Sequence, residues 1–219
     1  MKSFIFGNTS SGLPITGFHW QAAGPKVLIL GGVHGDEVEG VIAAQSLLNE
    51  FARSFPFRLD LTLVPMFNFD GVIQKTRSNA RGVDLNRNLP TKDWNPKAFD
   101  VRYNPGPSSN SEPENQALVD FLKVNKCKFI LSLHSWKPLL NINGRCHKEA
   151  QVISQLTGYE IKDEIGYPTP GCLGTYTGLE RDMPTITYEI ERGLDTRSIL
   201  HNHVPAILEA LKVVERDST

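Results

Sequence analysis

The stretch Val27-Leu28-Ile29-Leu30-Gly31-Gly32 sets four aliphatic residues in a row and cuts them off with two glycines. A short unbroken apolar run of this kind reads as a buried strand that stops abruptly. Beyond it, Val38, Val41, Ile42, Leu48 and Ala52 fall at offsets 0, 3, 4, 10 and 14, one stripe of a helix. From Arg58 to Met66, Leu59, Leu61 and Leu63 alternate with polar or smaller residues, which predicts a second strand. Strand, helix and strand in that order imply an α/β fold.

Further along, Ser111 sits three residues before Glu114 and predicts a capping box, with Leu118, Phe121 and Leu122 as the stripe behind it. Phe129-Ile130-Leu131 begins another strand, ending at His134. A polar helix is expected around Lys148 to Leu156 and a late strand over Thr185 to Ile190. Val204, Ile207, Leu208 and Leu211 give a closing helix. Between the two halves, Asn68 to Asn110 holds four prolines, many asparagines and no sustained period. Loops of that length are usually functional or disordered. Arg77, Asp84, Arg87, Trp94 and Tyr103 make this one too rich for a linker. No repeat, low-complexity tract or boundary signal divides the chain, so residues 1–219 read as one domain.

The 219 residues are 40% hydrophobic and 21% charged, an ordinary composition for a soluble protein that buries its core without disulfides. Net charge is only -1, and no basic stripe points to nucleic acid or to an anionic membrane. The first 20 residues lack a basic start followed by an apolar stretch, so they do not read as an export signal. No run approaches the roughly 20 apolar residues that span a bilayer. Cys127, Cys146 and Cys172 are odd in number and widely spaced, neither a disulfide framework nor a metal pair. A cytoplasmic setting is the simplest expectation.

The candidate chemistry gathers at strand ends. His34 and Glu37 lie just past Leu30, where ligands collect in α/β sheets. An imidazole and a carboxylate separated by a tight turn can share a metal, and two nitrogens with one carboxylate form a known catalytic zinc set. With six histidines and thirteen glutamates, chance alone gives about 0.4 such HxxE pairs, so the pair by itself is equally a loop histidine and a helix-start glutamate. His134, at a second strand end, shifts that balance. Arg77 and Arg87, in the long loop, offer planar forks for a carboxylate or an oxyanion, with Asn86 as a neutral donor. In Thr185-Ile186-Thr187-Tyr188-Glu189-Ile190-Glu191, alternation puts Glu189 and Glu191 on one face and cannot choose between them.

These pieces together resemble the zinc metallocarboxypeptidase family over nearly the whole chain. The matching segments are Phe6-Gly7-Asn8 with Gly12-Leu13-Pro14-Ile15, Gly32-Val33-His34-Gly35-Asp36-Glu37, Asn68-Phe69-Asp70-Gly71 and Arg77-Ser78-Asn79. Gly82-Val83-Asp84-Leu85-Asn86-Arg87-Asn88, Leu131-Ser132-Leu133-His134-Ser135 and Thr187-Tyr188-Glu189-Ile190 complete them. The resemblance implies a three-layer fold, a mixed and largely parallel sheet with helices on both faces. It implies one zinc per chain on His34, Glu37 and His134, with Glu189 as general base and acid. Arg77 would polarise the scissile carbonyl, and Asn86 and Arg87 would grip a substrate carboxylate.

Within the family the chain is most similar to the bacterial murein peptide amidases. That similarity implies a murein tripeptide as substrate, cut at its γ-D-glutamyl-diaminopimelate bond during wall recycling. Digestive-type members carry a tyrosine over the substrate, and Tyr176 is the candidate here, with a packing role equally open. A carboxypeptidase on ordinary peptides, a deacylase of N-acyl amino acids and a non-catalytic peptide-binding homologue are the alternatives.

Overall fold

The computed structural model describes residues 1–98 and 100–216. Two strands that the hydrophobic pattern did not signal open the chain, β1 (Lys2–Asn8) and β2 (Pro14–Trp20), paired antiparallel. β3 (Lys26–Gly31), α1 (Val38–Arg53) and β4 (Asp60–Val64) follow as the sequence predicts. A short α2 (Phe69–Gln74) precedes the long loop, and α3 (Pro113–Val124) leads into β5 (Phe129–Trp136). Then come β6 (Leu139–Asn143), α4 (His147–Thr157), β7 (Glu160–Lys162) and β8 (Thr185–Glu191). α5 (Thr196–Ser198), a wide turn Ile199–His203 and α6 (Val204–Arg216) close the chain.

The strands form one sheet in the order β1-β2-β4-β3-β5-β8-β6-β7. Its centre, β4 to β8, is parallel, and antiparallel pairs flank it. Alternation along β3 feeds two cores. Val27 and Ile29 pack with Ala43 and Leu47 of α1, Ile153 of α4 and Ile207 of α6, whereas Leu28 and Leu30 pack with Phe6, Ile15 and Leu118 of α3. The sheet is therefore covered on both faces, as the α/β reading expected. Leu28, Ile29 and Leu30 are each fully buried, which stabilises by about 1.5–3 kcal/mol per side chain.

Two local expectations need correction. α1 exists, but its buried stripe is Gly40, Ala43, Ala44, Leu47 and Phe51, while Val38 is exposed. Small residues decide this face, because α1 lies so close to the sheet that a Cβ on Gly40 would stand 2.6 Å from Leu133 O. The larger aliphatics are pushed round to its flanks. The capping box also fails: α3 starts at Pro113 with Glu112 as its cap, and Ser111 donates to Glu112 instead. Glu114 is taken by the Ser10 and Asn79 N–H groups.

Asparagine side chains order the long loop where helices and strands do not. Asn79 Oδ1 accepts from Arg81 N and Val83 N, and Asn88 Nδ2 donates to Pro105 O and Ser108 O. These bonds replace missing ladder partners for buried backbone.

Candidate active site

After β3 the chain runs through α1 to β4 on one side, while β5 pairs with β3 on the other. The strand order reverses there, and such a reversal opens a crevice at the carboxyl ends of the strands. Gly32, at φ 65°, turns the chain out of β3 in a conformation that L side chains rarely adopt. The Glu37 N–H closes the following turn on His34 O at 3.3 Å. Glu37 is the residue before α1, but its carboxylate makes no cap bond to the helix and turns instead to His34, His134 and the Ser135 N–H. His134 enters from β5, and Glu189 stands beside it in register on β8.

All three candidate ligands are buried and converge. His34 Nδ1 and His134 Nδ1 each lie 2.8 Å from a Glu37 oxygen and 3.2 Å from each other. Their far nitrogens are occupied: His34 Nε2 meets Asp84 Oδ1 at 3.1 Å and His134 Nε2 meets Ser132 Oγ at 2.9 Å. An Nε2–H donated to Asp84 leaves the His34 Nδ1 lone pair facing inward. Two nitrogens and a carboxylate packed this closely repel unless shared protons or a cation lie among them. Ligands of a tetrahedral zinc at about 2.0–2.1 Å stand roughly 3.3 Å apart, close to the spacing here. The donor set therefore fits zinc, and the Asp84 and Ser132 bonds are the supports that orient metal-binding histidines.

Asp84 also ties the cation of the long loop to this cluster. Its Oδ2 accepts from Arg77 Nε at 2.9 Å, and Arg77 Nη1 reaches Glu37 Oε1 at 3.4 Å. Burial would raise the Asp84 carboxyl, but the charges of His34 and Arg77 outweigh it and hold it well below the ordinary range. Among the candidates chosen from sequence, Asp84 was passed over as part of a motif. Its spacing two residues before Asn86 was the available signal.

Alternation left Glu189 and Glu191 level, and burial separates them. Glu191 is exposed, whereas Glu189 is 8% exposed and lines the cleft with His34, Arg77 and Arg87. Glu189 Oε2 is buried with no hydrogen-bond partner. Burial pushes this carboxyl up to about 7, against the opposing charge of His134 and with Glu37 adding to it. A raised folded-state value means that ionised Glu189 costs stability. The cost is absent below the unfolded value of about 4.3, grows with pH, and is complete above about 7. Metal-free Glu189→Gln should therefore be more stable than the metal-free parent above pH 7, by up to roughly 3 kcal/mol. Thermal melts of both proteins from pH 4 to 8 check this. A gap that narrows as pH rises would show that the site does not strain this carboxylate.

The loop arginine and its neighbour line the same cleft. Arg87 is 3% exposed, forms no ion pair with a carboxylate among the described residues, and leaves its Nε buried without a partner. Its guanidinium carbon sits 5.2 Å from the Tyr103 ring centre and 6.0 Å from that of Tyr167. Asn86 Oδ1 is taken by Leu173 N at 2.8 Å, so its amide N–H₂ is what it can offer a ligand. Tyr176 does not belong here. It is buried in the second core with the Arg181 guanidinium 3.6 Å from its ring centre. Tyr167, nine residues earlier, lines the cleft instead, with Asn141, Thr169, Cys172 and Thr187.

A buried imidazole–carboxylate–imidazole cluster at the reversal point of a mixed α/β sheet, with a carboxylate beside it, is the arrangement of a metal-dependent hydrolase. Comparison with known proteins gives the family. Residues 1–166 match the model for zinc carboxypeptidases, and the chain belongs to that family of hydrolases. Murein peptide amidase A of Vibrio campbellii is 31% identical, over 91% of this chain and 87% of that one. The crystal structure of murein-tripeptide amidase from Escherichia coli O157 superposes with a TM-score of 0.79 at 26% identity, covering 98% of this chain and 92% of the other. Bovine thrombin-activatable fibrinolysis inhibitor shares the fold, with a TM-score of 0.82 at 19% identity over 99% of this chain and 90% of its own.

Proposed function

We propose that this chain is a one-zinc amidase that cleaves the γ-D-glutamyl-diaminopimelate bond of murein tripeptide in the cytoplasm. The observation that carries the reading is Arg87, a buried guanidinium without a carboxylate partner, beside Asn86 and close to the metal cluster. A substrate carboxylate on the leaving side of the scissile amide supplies the missing partner, and diaminopimelate bears one. The polar floor of Asn141, Thr169 and Thr187 suits the charged far end of that residue better than an apolar side chain. Likeness to two murein amidases supports the same substrate. Three free, buried cysteines suit a reducing compartment.

His34, Glu37 and His134 would hold zinc, which acidifies water and polarises a carbonyl when bound. Glu189 Oε2, unpartnered beside the cluster, takes the proton of the attacking water and returns it to the leaving amine. Arg77, fixed by Asp84, donates to the oxyanion as charge develops. Asn86 and Arg87 hold the leaving-side carboxylate and so set the position of the amide.

Product analysis on L-Ala-γ-D-Glu-diaminopimelate, α-linked peptides and N-acyl amino acids tests this reading. The expected products are L-Ala-D-Glu and free diaminopimelate. Arg87→Ala should raise KM about 10–100-fold, the usual loss of a charge-assisted bond, with a smaller fall in kcat. Release of ordinary amino acids from α-linked peptides, with the tripeptide untouched, keeps the zinc peptidase and removes the murein substrate.

A further inference from the structure

Two arginines at the mouth of the cleft have no part in the roles above. Arg192 follows β8, and Arg102 lies in the turn Val101–Tyr103. Arg192 Nη1 stands 3.4 Å and Arg102 Nη2 3.9 Å from the same Asp36 Oδ2, while Asp36 Oδ1 is buried with no partner. Two guanidinium charges thus share one carboxylate, which leaves a positive charge in excess. Glu37 Oε1, 3.8 Å from Arg192 Nη2, does not remove it, because His34 and Arg77 already engage that oxygen. Both side chains line the cleft and are reachable, at 41% and 52% exposure.

Their position relative to Arg87 matters. Arg87 adjoins Tyr103 and Tyr167, and the Leu89 N–H donates to Gly171 O at 3.0 Å, so it approaches the cluster from the loop before β8. Arg192 donates to Ser135 O at 3.3 Å and approaches from Asp36 and the end of β5. Arg77 stands between the two: its guanidinium carbon, like that of Arg87, lies 5.2 Å from the Tyr103 ring centre, and it approaches the same Glu37 Oε1 as Arg192. A scissile carbonyl over the cluster, with its leaving-side carboxylate on Arg87, therefore carries its acyl part toward Arg192.

The backbone of an α-linked peptide presents only neutral amide groups there. A γ-linked glutamyl group differs, because its side-chain carboxyl forms the amide and its α-carboxylate is left free. We infer that Arg192, held with Arg102 by Asp36, binds the free α-carboxylate of a γ-glutamyl acyl group and so selects γ-linked over α-linked amides. This inference rests on the murein reading above. The guanidinium fork matches a carboxylate, and the partial exposure keeps the effect to about tenfold or somewhat more.

The test compares L-Ala-γ-D-Glu-diaminopimelate with L-alanyl-γ-aminobutyryl-diaminopimelate, which has the same scissile amide and leaving group but no α-carboxylate. The zinc-loaded parent should favour the first by about tenfold or more in kcat/KM. Arg192→Met should bring that ratio close to one, and Arg192→Lys should keep part of it. Calorimetry of the product L-Ala-D-Glu should show a matching rise in Kd for Arg192→Met, a readout that needs no turnover. Equal losses on both substrates, an unchanged Kd, or a parent that cuts both compounds equally well would overturn the inference and leave the murein substrate standing. A parent that cuts neither compound but releases amino acids from α-linked peptides overturns the murein reading and this inference together.

Discussion

Glu189→Gln is expected to keep zinc and substrate and to lose about 10²–10⁴-fold in kcat, the usual contribution of a general acid–base group. The substitution preserves shape and removes only the ability to take and return a proton. The Glu189 oxygen that would do so is buried and unpartnered, so no protein hydrogen bond has to break before it works. Burial raises its carboxyl from the ordinary range, the direction that suits a group acting both as base and as acid at neutral pH. Zinc stoichiometry, KM and kcat measured on one preparation check the expectation. Glu191→Gln is the control. Glu191 shares the β8 face but is exposed, and its loss should change kcat by no more than about twofold, as expected of a surface substitution away from the site. A deep loss at Glu191 with little at Glu189 would move the chemistry to the other residue.

Which parts of this site the sequence could show follows from what periodicity measures. Apolar runs mark buried strands, so Leu30 locates the end of β3 and His34 stands out just past it, whereas β5 runs on to Trp136 and His134 lies inside its strand, not at the expected end. The choice between Glu189 and Glu191 was closed to periodicity because both lie on one face. Burial distinguishes them, and burial comes from the neighbouring strands β5 and β6. The α1 face was misread for a related reason. Hydrophobic weight points to Val38 and Val41, but close approach to the sheet favours Gly40 and Ala44, which carry little hydrophobic signal. β1 and β2 were missed because polar residues and glycines interrupt the apolar pattern, as at Lys2, Ser3, Gly7 and Gly17. A loop tyrosine has no period, so nothing in the sequence points to Tyr167, and only the path of the chain shows that it faces the cleft and Tyr176 does not. Arg192 and Asp36 are similar. They lie 156 residues apart in sequence and meet only because β3, β5 and β8 are neighbours.

Removal of the metal should abolish activity, and zinc should restore it. The physical reason is the contact geometry of the three candidate ligands. Their inward atoms lie 2.8–3.2 Å apart, a spacing that a divalent cation satisfies. Without it, the site must share protons between His34, His134 and Glu37. Zinc should therefore also raise the melting temperature, since a ligand at 100 times its Kd stabilises the folded state by about 2.7 kcal/mol. That readout is independent of turnover. His134→Ala removes one of three protein ligands and should lose most of the thermal shift, retaining clearly less than one zinc per chain after dialysis. Asp84→Asn is the milder companion. It keeps all three ligands but weakens the support of His34 Nε2, and loss of such a supporting bond typically costs 10–100-fold in metal affinity or activity. Asp84 also holds Arg77, so in that variant kcat should fall further than zinc affinity alone explains. Titration of each apoprotein with zinc, followed by melting and activity on the same samples, separates the two effects. Unchanged zinc stoichiometry and affinity in His134→Ala would remove His134 from the ligand set, and the pairing of β5 with β3 would then need another functional reason.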